Sequence, residues 1–203
     1  MFGNVFFNDE YNDPNYLRGI EQFSHLWLVF HFHQTSEQGH SPLVRPPRLG
    51  GNQKLGVFAT RSTFRPNSIG MSVVEFADVS FQNKQLCLKI KGVDLLDGTQ
   101  ILDIKPYIPY ADNVSHANGG IAQHSPDLMP VVFSDHALQQ LKQFTAHYPE
   151  IKTLISEVLS QDPRPAYHQD KSSDKVYGMA LYDLNVQWQV INQQNVVKAI
   201  QKN

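Results

Sequence analysis

The sequence predicts a mainly β protein: a strand-rich, antiparallel first half followed by a smaller α+β part. Three observations carry this. Between residues 25 and 108 several segments alternate apolar and polar side chains with the period of two that belongs to strands. No segment with helical periodicity separates them, which favours an antiparallel sheet or a barrel over an open parallel sheet. After a stretch rich in small and polar residues near 111–130, the apolar spacing changes to that of amphipathic helices.

The first strand read this way is "HLWLVFHFHQ", with Leu26, Leu28, Phe30 and Phe32 on one face and Trp27, Val29, His31 and His33 on the other. "GMSVVEFADV" and "ILDIKPYI" are shorter strands, and "QLCLKIKGVD" opposes Leu86, Leu88 and Ile90 to Cys87, Lys89 and Lys91. "PPRLGG", "NSIG" and "DGTQ" supply turn chemistry between them. The expected domains are residues 1–112 and 131–203, joined by a linker over 113–130. In the second, "SDHALQQLKQFTAHY" is a helix with Ser134 as N-cap, Asp135 in its first turn, and Ala137, Leu138, Leu141 and Phe144 on one stripe. "PEIKTLISEVLSQ" is a second helix, starting at Pro149 and burying Ile151, Leu154, Ile155, Val158 and Leu159, with "DPRPAY" ending it. The last segment alternates through Tyr182, Leu184, Val186, Trp188 and Val190 and turns at "NQQN" into a hairpin.

At 203 residues, with 41% apolar and 18% charged residues, the chain is long enough for a substantial core. Its one cysteine, Cys87, has no internal disulfide partner and suits a small core position and a reducing compartment, so the cytoplasm is the expected location. The first twenty residues lack the apolar core of a signal peptide, and no apolar run is long enough to span a membrane. The glycine pattern of the usual dinucleotide fold is absent.

Net charge is −2, yet no acidic residue falls between Glu37 and Glu75, where Arg45, Arg48, Lys54, Arg61 and Arg65 all lie. The bland reading pairs these arginines with carboxylates from elsewhere in the fold. The sharper reading is an anion site, because arginine suits planar anions and phosphates and the interleaved Pro and Gly shape the backbone for close approach. His31 and His33 have metal-ligand spacing but no obvious third ligand, so no metal is expected. Asp94, Asp97 and Asp103 lack the spacing of a calcium loop; Asp97 before Gly98 reads as a turn residue.

Five ordered motifs, "RGIEQFSHLWLVF", "VRPPRLGGN", "GVFATRSTFRPNSIG", "VDLLDGTQILDIKPY" and "DPRPAY", resemble the TsaA-like family of tRNA methyltransferases, also called TrmO, over nearly the whole chain. The resemblance implies methyl transfer from S-adenosylmethionine to N6 of threonylcarbamoyladenosine beside the anticodon. It also implies a single-sheet antiparallel β-barrel as the cofactor-binding domain, a smaller C-terminal domain and a homodimer. Family members begin further upstream, with a strand and a P-R-Q segment that contributes to the cofactor pocket; that segment has no counterpart in the first residues here. Two alternatives therefore accompany the main reading: a tRNA- or cofactor-binding module with impaired catalysis, and a methyltransferase for another substrate.

Carried onto this sequence, the family's cofactor contacts fall on Phe32, His33, Arg61, Met71, Lys91, Gly92, Val93 and Asp94. An aromatic at 32 offers stacking surface to adenine, Gly92 admits a close backbone, and Arg61 suits a carboxylate. The substrate's carboxylate and the loop phosphates require positive charge, for which Arg45, Arg48, Lys54, Arg65 and Arg164 are the candidates, with Tyr167 and nearby His168 for stacking or hydrogen bonding. The duller reading of "DPRPAY" is a rigid connection. N6 is a poor nucleophile that benefits from losing its proton; the sequence does not identify the base, and Asp94 and His33 are candidates only by type.

Overall fold

A computed structural model describes residues 2–46, 53–125, 127–164 and 175–203. The chain divides into two compact units, the first over residues 2–46 and 53–118, the second over the described residues from 119 to the C-terminus. No helix among the described residues is long and apolar enough to cross a membrane.

The first unit is built on β1 (Phe2–Phe6), β2 (His25–His31), β5 (Ile69–Gln82), β6 (Gln85–Lys91) and β7 (Ile101–Pro106), in the order β1-β6-β5-β2-β7 with every pairing antiparallel. The alternation in β2 is realised as read: Leu26, Leu28 and Phe30 are buried, while Trp27, Val29 and His31 are half-buried on the opposite face. Cross-strand register puts Val74, Ser72 and Gly70 of β5 beside the buried set, and Val73, Met71 and Ile69 beside Trp27, Val29 and His31. Leu86, Leu88 and Ile90 of β6 complete the core with Leu17. A two-residue turn at Asn83 and Lys84, both at positive φ, joins β5 to β6.

The mainly β, antiparallel architecture is as expected, and no closed barrel is found among the described residues. Closure requires the two edge strands to exchange their free N–H and C=O groups. Among the described residues β1 pairs only with β6 and β7 only with β2, so each keeps one free edge. β1 was not anticipated, because "FGNVF" is short and carries Gly and Asn within it.

The second unit contains β8 (Val131–Phe133), α2 (Asp135–Phe144), α3 (Ile151–Ser160), β9 (Val176–Leu181), β10 (Leu184–Ile191) and β11 (Gln194–Lys202), after a single helical turn α1 (Pro109–Asp112) at the end of the first unit. Its sheet runs β8-β11-β10-β9, with β8 parallel to β11 and the rest antiparallel. Ser134 Oγ accepts from Ala137 N–H at 3.1 Å, the expected N-cap. α3 begins at Ile151, two residues later than read, with Glu150 at its N-cap position; it buries Ile151, Leu154, Ile155 and Leu159 against Val186, Trp188 and Ile200. The C-terminal hairpin turns at Asn192 and Gln193. A second turn at Tyr182 and Asp183 breaks the alternation earlier: the inward residues are Tyr177, Met179 and Leu181 before it, and Leu184, Val186 and Trp188 after it.

Candidate cofactor and RNA site

Antiparallel pairing brings three strand ends together at one end of β2. β2 finishes there at His31, β5 starts at Ile69 and β7 starts at Ile101, whereas β6 finishes at Lys91 opposite Glu75 of β5, beside His25 at the other end of β2. Of the cofactor residues expected from the sequence, Phe32 and His33 follow β2, Met71 opens β5, and Lys91 to Asp94 close β6 and lead away from it. The chain leaves this end after β2 and makes a long excursion carrying a small ladder, β3 (Leu43–Val44) and β4 (Leu55–Gly56). It returns at Ser68, whose C=O accepts from Phe32 N–H at 2.8 Å. Arg61 lies on that excursion.

The geometry refines each assignment. Phe32 is half-buried, edge-on to Phe30 with ring centroids 5.4 Å apart. Gly70 admits both rings: a Cβ there would lie within 2.7 Å of Phe32 Cζ and closer still to Phe30. Met71 is 53% exposed and belongs to the other face, with Val29, so the Phe32 and Met71 side chains address opposite faces of the sheet. Lys91 shares the Met71 face and pairs with Glu75 at 3.2 Å, both about half exposed, a contact of little energy. Gly92 has φ +77 and open space where a Cβ would stand, so its backbone is accessible. Val93 packs inward, where its Cγ1 would collide with any side chain at Gly3. Asp94 is exposed. His33 is half-buried, its Nε2 3.2 Å from the Gln34 amide nitrogen.

Arg61 and Arg65 divide their roles. Arg61 is exposed and makes no hydrogen bond or ion pair among the described residues. Arg65 is half-buried and turned inward: Nη1 donates to Thr60 C=O at 2.7 Å and to Val57 C=O at 3.3 Å, and the guanidinium lies 5.7 Å from the centroid of the Phe58 ring. Since no carboxylate is at hand in this segment, peptide dipoles take that part, and the acceptor at 2.7 Å belongs to the peptide that links Thr60 to Arg61. Further bonds stiffen the same loop: Thr60 Oγ1 donates to Val57 C=O at 2.9 Å and accepts from Ser62 N–H at 3.2 Å, and Ser62 Oγ accepts from Phe64 N–H at 3.3 Å.

The remaining RNA candidates lie in different surroundings. Arg45 and Lys54 are exposed on the excursion. Arg164, in the second unit, is only 8% exposed and makes a two-point contact with Asp162, Nε to Oδ1 at 2.7 Å and Nη2 to Oδ2 at 2.8 Å. Bonding to Asp162 holds its pKa above the ordinary arginine value, and burial opposes this. That geometry favours the duller reading, an arginine that fixes the chain after α3. Arg48, Tyr167 and His168 lie outside the described residues. Cys87 is fully buried, and burial followed by nearby Asp78 raises its pKa, which keeps the thiol protonated as a core group. No group of three or more His, Cys, Asp and Glu suited to a metal occurs among the described residues. A cleft bordered by Asp135, Leu138, Lys142 and Lys152 lies in the second unit.

One residue the sequence reading passed over is Phe58, 76% exposed on the 3-10 turn Val57–Ala59. The signal available was an aromatic placed among arginines in an acid-free segment.

An antiparallel sheet with a half-buried aromatic just after β2, an accessible glycine backbone just after β6 and an exposed arginine on the excursion between β2 and β5 is a framework distinct from the doubly wound nucleotide folds. The chain belongs to the tRNA-methyltransferase O family: the model of that family's N-terminal domain matches residues 1–113 and that of its C-terminal domain residues 126–203. It is 50% identical over 181 residues to the tRNA (adenine(37)-N6)-methyltransferase of Escherichia coli strain K12, covering 89% of this chain and 77% of that protein. The enzyme of the same name from Eikenella corrodens is 41% identical over 88% of this chain and 97% of its own length. A Pseudomonas aeruginosa protein described as a putative S-adenosylmethionine-dependent methyltransferase is 49% identical over 85% of this chain and 73% of its length. The crystal structure of TrmO from Pseudomonas aeruginosa superposes with a TM-score of 0.76 at 37% identity, covering 98% of this chain and 83% of that one.

Proposed function

We propose that this protein transfers the methyl group of S-adenosylmethionine to N6 of an adenine in tRNA, the reaction that its relatives are named for at adenine 37. The observation that carries the reading is the exposed Arg61, unpaired among the described residues, on an acid-free excursion that leaves and rejoins the sheet where Phe32 and His33 lie. We assign cofactor binding to Phe32, His33, Arg61, Met71, Lys91, Gly92, Val93 and Asp94 on residues 1–112, with a linker over 113–130 and a C-terminal domain over 131–203. The more specific acceptor is threonylcarbamoyladenosine in the anticodon loop.

The chemistry of these residues fits the cofactor. Arg61 has free donors for the carboxylate of a methionine moiety, a contact that is strongest when charge-assisted and two-pronged. Phe32 offers the edge and part of the face of its ring to an adenine. Gly92 exposes backbone donor and acceptor to a base edge or ribose. When bound, S-adenosylmethionine supplies an electrophilic methyl group on a sulfonium. The protein's part is to hold the acceptor nitrogen in line with that methyl and to receive its proton. Asp94 and His33 are the candidates for the proton, and Asp94→Asn and His33→Gln separate them: the residue responsible is the one whose loss lowers kcat.

Arg45, Arg48, Lys54 and Arg65 are assigned to the RNA side, Arg65 by ordering the excursion; the packing of Arg164 supports a structural part for it, and Tyr167 remains a candidate for the loop bases. The apolar band of Trp27, Val29, Ile69 and Met71 on the outer face of the sheet supports a homodimer, because exposure of Ile69 and Met71 at 45% and 53% leaves an apolar surface for a second copy to cover. A reducing, cytoplasmic location is proposed on the single buried cysteine.

Calorimetric titration of S-adenosylmethionine tests the assignment of Arg61. Wild type binds, and Arg61→Ala, with unchanged circular dichroism, binds at least about tenfold more weakly, as the loss of one charge-assisted contact implies. Equal binding by the two proteins removes Arg61 from the site.

A further inference from the structure

We propose that Phe58 stacks on an unpaired nucleobase of the RNA substrate. The proposal rests on the tRNA reading above and adds to it a contact residue.

The ring of Phe58 is 76% exposed although its surroundings are ordered. The preceding residue, Val57, is 4% exposed and its N–H donates to Pro42 C=O at 3.0 Å; Thr60 N–H donates back to Val57 C=O at 3.1 Å. The turn is therefore anchored on both sides of the aromatic, and the outward ring is a consequence of its backbone rather than of a loose loop. The guanidinium of Arg65, 5.7 Å from the ring centroid, is itself fixed by Thr60 and Val57 carbonyls. It stands within cation–π range of the ring, restricts its orientation and leaves most of its surface to solvent.

The charge around Phe58 selects the occupant. Arg45, Lys54 and Arg61 are exposed on the same excursion, and no acidic residue lies between Glu37 and Glu75. An exposed aromatic among cations that pair with no carboxylate among the described residues is the combination that binds single-stranded nucleic acid: the cations follow the phosphates, and the ring receives a base. A second copy of the chain fits less well, because a twofold contact centred here would set the same basic excursion against itself.

The test measures binding of two RNA probes, a hairpin with an unpaired loop and a fully paired duplex, to wild type and to Phe58→Ala, Phe58→Leu and Phe58→Trp. Loss of one base–aromatic stack weakens hairpin binding about tenfold in the Ala and Leu variants and leaves the duplex unaffected, while Trp restores it. S-adenosylmethionine affinity and sedimentation stay as in wild type. Hairpin binding by Phe58→Ala within twofold of wild type overturns the proposal, as does an equal loss on hairpin and duplex. So does a change in oligomeric state, which makes the ring a contact between copies. Wild type that does not bind the hairpin also overturns it. Methyl transfer by wild type to tRNA, assayed separately, shows whether the underlying reading stands when this one falls.

Discussion

Arg65 is a charge that meets backbone carbonyls and an aromatic ring rather than a carboxylate, and it is proposed to serve the site by ordering its loop. Its guanidinium meets the C=O of Thr60, the peptide preceding Arg61, and so fixes the direction from which Arg61 leaves the backbone. Hydrogen bonds from a charged donor contribute about 1.5–3 kcal/mol, enough to order a loop that has little buried apolar surface. Arg65→Ala therefore weakens S-adenosylmethionine binding about tenfold with the thermal midpoint little changed, and Arg65→Lys, which can reach one carbonyl but not both, recovers part of the loss. Affinity equal to wild type in Arg65→Ala would show that the loop orders itself without the guanidinium. The sequence revealed an acid-free run that wants anions, yet it could not separate Arg61 from Arg65. Their roles differ through backbone carbonyls, and carbonyls carry no residue identity. Arg164 was ambiguous for a similar reason: its partner Asp162 is two positions away, and only the fold shows that the pair is buried.

Elements with strong periodicity were legible. The faces of β2 and β6, the apolar stripes of α2 and α3 and the Ser134 cap follow from side-chain spacing and capping chemistry. β1 was missed, and the Tyr182–Asp183 turn was read through, since tyrosine is a poor marker for a left-handed position. That turn is held from the side. Tyr148 stacks on Tyr182 with centroids 4.6 Å apart and donates its hydroxyl to Asp183 Oδ1 at 2.8 Å, while Lys202 Nζ lies 3.4 Å from Oδ2. The bond from Tyr148 is the main cause holding the Asp183 carboxyl below its ordinary pKa, and the same bond holds the Tyr148 phenol above its own. A lowered carboxyl pKa contributes stability that is present above the unfolded value and lost as pH falls through the folded one. A raised phenol pKa contributes stability that is present below the unfolded value and lost as pH rises through the folded one. The stability difference between wild type and Tyr148→Phe is thus expected to be constant between about pH 4 and pH 10 and to shrink on either side. Thermal unfolding across pH checks this, and a difference that persists unchanged in strong acid would show that the pair contributes through packing alone.

For the whole molecule, antiparallel connection explains why residues far apart in sequence meet at one end of β2: 31, 69 and 101 are brought together by strand direction and register, while 92 follows β6 toward the other end of β2. Closure into a barrel was not decided by the sequence, because alternation specifies faces and leaves open which edges pair. The central claim is that this arrangement methylates tRNA, with Arg61 in the cofactor site. Its most direct test is mass spectrometry of nucleosides from tRNA bearing threonylcarbamoyladenosine, incubated with S-adenosylmethionine and either wild type or Arg61→Ala. A methyl group gained on the threonylcarbamoyl nucleoside with wild type, and at least about a hundredfold less with folded Arg61→Ala, is the predicted result. A methyl on another nucleoside would replace the proposed substrate; no methyl on any nucleoside, from protein that binds both cofactor and RNA, would contradict the account.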